Sequence, residues 1–121
     1  MNEVKMLKEA VEIYSPTGKE RKLANFLLNS AGDNAKIDDI GNFIMSKGSG
    51  SRTLLLCSHL DTVTGKIPVR IDNKKIYGRG AVDAKASLIS MFLAFLKVHV
   101  KNIKVIFAGV VDEEGSSRGI R

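Results

Sequence analysis

A single cysteine, Cys57, excludes an internal disulfide and any fold that depends on such bridges. Residues 1–20 interleave charged and apolar positions, so no secretory leader is read there and a reducing, cytoplasmic setting is expected. The longest apolar stretch, residues 86–96, is interrupted by Ser87 and Ser90 and falls well short of the ~20 residues a bilayer span needs. No membrane association is expected. Basic blocks are also missing: the net charge is +6, but lysines and arginines are scattered from Lys5 to Arg121 without interleaved aromatics. The charge therefore reads as solvated surface and nucleic-acid binding is not expected. Internal repeats and low-complexity linkers are absent. What is present, 44% hydrophobic and 26% charged residues over 121 positions, suits one soluble domain with a real core.

The spacing of Val4, Leu7, Ala10, Val11 and Tyr14 predicts an opening helix, stopped by Ser15-Pro16-Thr17-Gly18. Leu23, Phe26, Leu27 and Ser30 predict a second helix over residues 19–30, with Thr17 as candidate N-cap and Gly32 as terminator. Two short alternating runs, 35–40 and 42–46, flank Gly41 and read as a hairpin or bulge. The continuous apolar run Thr53 to Cys57 predicts a strand covered on both faces, with Cys57 turned to the core. Lys75 to Tyr77 is a further short run. Asp83 opens a buried helix ending near His99, where a carboxylate in the first turn suits the helix dipole. Residues 103–111 form another covered strand. Strands joined through a long helical connection imply an α/β fold, a layered α/β/α arrangement on a mixed sheet with some parallel pairing.

Sites in such sheets gather at the carboxyl ends of strands. His59 follows the run 53–57, and Asp112, Glu113 and Glu114 follow the last strand, so the two groups converge and Asp83 can join them from its helix start. His59 and Asp61 share a side if the chain stays extended, which fits a metal-bound histidine oriented by a carboxylate on its other ring nitrogen. Adjacent carboxylates at a strand exit repel one another unless solvent or a cation compensates them. A bound Zn²⁺ would do so, with Glu114 as ligand and Glu113 as proton acceptor. The glycines of Gly78-Arg79-Gly80-Ala81-Val82-Asp83 make a turn. The acidic sixth position disfavours a dinucleotide loop, because Asp83 would face phosphates.

Taken together and in order, His59-Leu60-Asp61, the 78–83 segment and Asp112-Glu113-Glu114-Gly115 resemble the N-terminal half of the dinuclear zinc amidohydrolase family of aminoacylases, acetylornithine deacetylases and glutamate-releasing carboxypeptidases. The likeness runs from the SPTGKE loop, residues 15–20, to the last residue. Residues 59–91 look most like the acetyl-lysine deacetylase group, whose members release lysine or ornithine from an amino-group carrier protein. The resemblance implies that His59 binds one Zn²⁺, Asp83 bridges two and Glu114 binds the other. It also implies that Asp61 orients His59 and that Glu113 is the general base. Co²⁺ could substitute. The substrate would be a small acylated amino acid or the carrier protein in lysine or arginine biosynthesis.

Family members contribute a further acidic ligand, a distant histidine and a lid domain that this chain does not supply. Residues 1–121 are therefore expected to form a partial catalytic domain with little activity alone and an open sheet edge that favours self-association. His99, at the far end of the long helix, reads as structural. The competing readings are a non-catalytic metal- or partner-binding α/β module and, more weakly, a nucleotide-binding domain.

Overall fold

The structure, a computed structural model, describes residues 2–120. Two helices open the chain, α1 (Glu3–Glu12) and α2 (Arg21–Ala31), followed by strands β1 (Ala35–Ile37), β2 (Phe43–Gly48) and β3 (Thr53–His59). A small hairpin of β4 (Arg70–Asp72) and β5 (Lys75–Tyr77), helix α3 (Ala86–Lys97) and strand β6 (Lys104–Val110) complete the order. The main sheet runs β1-β2-β6-β3, antiparallel except for the β3–β6 pair, which is parallel. The mixed sheet and its α/β class follow the sequence reading.

Alternation on the strands explains the core. Phe43 and Met45 of β2 and Val105 and Phe107 of β6 bury one face of the sheet. Leu23 and Leu27 of α2 and Leu88 and Phe92 of α3 join the same cluster. Phe43, Phe92 and Phe107 form a mutual aromatic trio with centroids 5.9–6.0 Å apart. In α1 the buried positions are Met6, Ala10 and Val11; Val4 lies on the solvent side.

Two local expectations are corrected. The run from Thr53 to Cys57 is an edge strand, not a strand covered on both faces: Leu54 and Leu55 are 48% and 58% exposed and Cys57 is also exposed. Composition could not distinguish these, because an apolar edge awaiting a partner has the same residues as a covered strand. Thr17 does not cap α2; the capping position is Glu20, and the Thr17 hydroxyl is committed elsewhere. Gly32, at φ 97°, does end α2.

Candidate metal centre

Parallel pairing sets the site. His59 pairs with Val110, and one residue further the Leu60 N–H donates to the Val110 carbonyl at 2.8 Å, so β3 and β6 end at the same edge. Their exits carry His59-Leu60-Asp61 and Asp112-Glu113-Glu114. Asp83 arrives from a different direction. Instead of standing in the first turn of α3, it lies three residues before it, within the irregular Ala81–Lys85 segment, at φ −118° and ψ 95°. Extended backbone there interrupts the helical hydrogen bonding that the apolar pattern predicted and frees the carboxylate to reach the strand ends. Gly80 makes the approach possible: its φ is +81°, and a Cβ there would stand 2.5 Å from the Thr62 methyl. Lys85 anchors the segment, with its buried ammonium donating to the Ile13 carbonyl at the end of α1; burial pulls its pKa down to about 8.

His59 Nε2 lies 2.9 Å from Asp83 Oδ1 and 3.7 Å from Glu113 Oε2. One ligand atom from each of His59, Glu113 and Glu114 falls within 4.8 Å of the other two. His59 Nδ1 stands 2.7 Å from the Asp61 carbonyl, which can only accept, so Nδ1 carries the proton. Nε2 of the neutral ring is then a bare lone pair facing a carboxylate lone pair. A positive charge must sit between them, either a proton on the ring or a metal cation. Burial alone would lower the His59 pKa, but the hydrogen bonds to Asp83 and the Asp61 carbonyl and the charges of Glu113 and Asp61 raise it. Burial, the charges of Asp83 and Glu113 and a hydrogen bond with Asp83 likewise hold Glu114 above the usual carboxylate range, against the pull of His59. Among the described residues no lysine or arginine forms an ion pair with Asp83, Glu113 or Glu114. An imidazole and three carboxylates that, among the described residues, pair with no lysine or arginine form a donor set suited to a divalent cation.

The orientation of His59 departs from expectation in one respect. Asp61 holds the ring through its main-chain carbonyl, while its carboxylate, 3.5 Å away at Oδ1, turns to the acidic loop. Oδ1 accepts the Glu113 N–H and Oδ2 the Glu114 N–H, each at 3.0 Å, and Oδ2 also accepts the Thr17 hydroxyl at 2.6 Å. Asp112 is not in the cluster: it adopts φ 64° and accepts from Ser116 and Arg118. Cys57 and His99, both exposed, are outside the gathered group as well. Sequence reasoning missed Thr17, which bonds Asp61 over 44 positions of chain, and Glu20, which bonds the Asp112 N–H over 92; neither leaves a local signal beyond the SPTGKE turn.

Beside the site lies a cavity of about 470 Å³, bounded by Thr62, Ile67, Tyr77, Val82, Asp83 and Glu114. It adjoins two of the converging carboxylates and is of the size that receives small ligands.

A carboxylate-rich cluster with one histidine at the carboxyl edge of a mixed α/β sheet is a donor set of the kind that metal-dependent hydrolases use. The family model for peptidase family M20/M25/M40 matches residues 55–121, and the chain belongs to that family. A Pyrococcus furiosus relative, provisionally named as a LysW-lysine/LysW-ornithine hydrolase, is 49% identical over 121 residues, covering 98% of this chain and 36% of its own length. A LysW-lysine/LysW-ornithine hydrolase from Sulfurisphaera tokodaii is 41% identical over 119 residues, covering 96% and 33%. The chain thus spans about a third of the length of the curated relatives it matches. In structure it is similar to an M20 family metallo-carboxypeptidase from Sulfolobus solfataricus, with a TM-score of 0.78 and 23% identity over 94% of this chain and 32% of that one.

Proposed function

We propose that this chain supplies part of the metal-binding catalytic domain of a zinc hydrolase that frees lysine or ornithine from a carrier protein by cleaving an amide bond. The observation that carries the reading is the His59–Asp83–Glu113–Glu114 convergence, an anionic donor set that pairs with no lysine or arginine among the described residues. The relatives' names supply the substrate class.

Each residue has a part that its geometry supports. His59, with its Nδ1 proton donated to the Asp61 carbonyl, presents Nε2 as a ligand. Asp83, next to Nε2, and Glu114, next to Asp83, would serve as carboxylate ligands. Bound Zn²⁺ supplies Lewis-acid polarisation of the scissile carbonyl and acidifies water. Glu113 is the base: it takes a proton from the attacking water and returns it to the leaving amine as the C–N bond breaks, leaving a carboxylic acid and a free amine. The adjoining cavity would take the amino-acid end of the substrate.

Catalytic zinc sites usually hold three protein ligands, whereas this division gives each ion two. The remaining ligands are assigned to the additional length of the relatives, and the 121 residues alone are expected to bind metal with little turnover. Co²⁺ would serve the same donor set. The test is a chimera in which this chain replaces the matching residues of the Pyrococcus furiosus relative, assayed for release of free lysine or ornithine with added Zn²⁺. Activity that falls at least ~100-fold on Glu113→Gln supports the reading; activity indifferent to Glu113 removes it from the role of base.

A further inference from the structure

The SPTGKE loop precedes α2 and contributes nothing to the donor set, yet it is bound tightly to the two strand exits. Ser15 is fully buried and its hydroxyl donates to the Leu60 carbonyl at 2.9 Å. The Thr62 N–H donates to the Ser15 carbonyl at 2.9 Å and the Thr17 N–H to the Thr62 carbonyl at 3.2 Å, a short parallel bridge centred on Pro16 and Thr62. From this seat two side chains reach the acidic loop by separate routes. The Thr17 hydroxyl donates to Asp61 Oδ2, the oxygen that also accepts the Glu114 N–H. Glu20, only 4% exposed, accepts the Asp112 N–H on Oε2 at 2.8 Å.

Glu113 and Glu114 are exposed, so side-chain packing does not aim them. Their direction is set by the backbone of residues 112–114, and all three N–H groups of that stretch end on carboxylates: Glu20, Asp61 and Asp61. Asp61 has a competing use for its charge, because Oδ1 stands 3.5 Å from His59 Nδ1. A donor on Oδ2 opposes rotation of the carboxylate toward the ring and keeps both oxygens on the loop.

We propose that Thr17 and Glu20 are positioning residues for the Glu113–Glu114 pair, Thr17 through the Asp61 carboxylate and Glu20 directly through the Asp112 N–H. The inference rests on the reading of Glu113 and Glu114 as base and ligand, but its geometry can be tested apart from that reading. The isosteric Thr17→Val removes the hydroxyl and keeps the shape; Thr17→Ser restores the donor. Glu20→Ala removes the acceptor, and Glu20→Gln retains an oxygen able to accept the N–H.

The experiment combines amide hydrogen exchange by NMR on the metal-free chain with calorimetric titration of Zn²⁺. Thr17→Val is expected to speed exchange at Glu113 and Glu114 about tenfold, with the amides of β6 unchanged, and to weaken Zn²⁺ binding by a similar factor. Thr17→Ser should return both to wild type. Glu20→Ala should speed exchange at Asp112, and Glu20→Gln should not, which keeps the proposal testable if Thr17→Val does not fold. Unchanged exchange at 113 and 114, acceleration spread equally through β6, or failure of Thr17→Ser to rescue would each overturn it. A wild-type chain that binds no Zn²⁺ while its amides respond as stated would defeat the functional reading and leave the positioning intact. Zn²⁺ binding with insensitive amides would do the reverse.

Discussion

Replacing Asp61 with asparagine tests how the acidic loop is held. Asp61 is fully buried, and its carboxylate accepts from the Glu113 and Glu114 N–H groups and the Thr17 hydroxyl. An asparagine keeps the shape but turns one oxygen into a donor. If the amide nitrogen takes the Oδ2 position, the Thr17 hydroxyl can rotate to accept from it, and the Glu114 N–H is left facing another donor. In the opposite orientation the Glu113 N–H is the one stranded. Either way one partly buried, charge-assisted hydrogen bond is lost and a donor goes unpaired, together about 3 kcal/mol. Unfolding entropy of about 2 cal/mol/K per residue gives a chain of this length roughly 0.25 kcal/mol/K, so the melting temperature of Asp61→Asn should fall by ~12 °C. The assay is a thermal scan by circular dichroism, checked for reversibility. A fall of less than ~3 °C would refute the claim that this carboxylate clamps the loop.

Asp38 offers a pH test remote from the metal cluster. Partial burial raises its pKa, but the N–H groups of Asn42, Gly41 and Ile40 and the Asn42 side-chain amide outweigh this and hold it below its ordinary 3.8. A carboxylate depressed in the folded state contributes stability that is fully present above 3.8 and is lost as the pH falls through the lower folded value. Asp38→Ala should therefore cost about 1–2 kcal/mol at neutral pH in urea unfolding, and the gap from wild type should close as the solution is acidified below that point; a gap independent of pH would contradict the assignment. At the sheet edge, Leu54 and Leu55 lie exposed on a strand that pairs with β6 on one side and, among the described residues, with no strand on the other. The chain should self-associate in sedimentation experiments, and Leu55→Lys should shift it toward monomer; unchanged association would place the contact elsewhere.

The legible parts of the fold were those written in periodicity and turn chemistry. The spacing of Leu23 and Leu27 marked α2, Gly32 its end, and the alternation around Gly41 marked the β1–β2 hairpin. Convergence of His59 with Glu113 and Glu114 was legible as well, because parallel strands deliver their exits to one edge. The departures have physical causes. Whether a strand is covered depends on its neighbours, and Leu55 has the same apolar character at an edge as in a centre. Asp83 leaves the helix because Gly80 and Lys85 fix the segment around it, an arrangement that an apolar helical pattern from residue 86 onward does not encode. The carboxylate of Asp61 serves the loop because donors from residues 17, 113 and 114 reach it, and contacts across 44 to 53 positions have no local signature.

Calorimetric titration of Zn²⁺ into the purified chain, beside His59→Ala and Glu114→Ala, tests most directly whether the converging side chains hold metal. The account predicts saturable binding by the wild-type chain that each substitution weakens about tenfold or more, since each removes one of few ligands. Absence of binding, or binding that neither substitution alters, would contradict it.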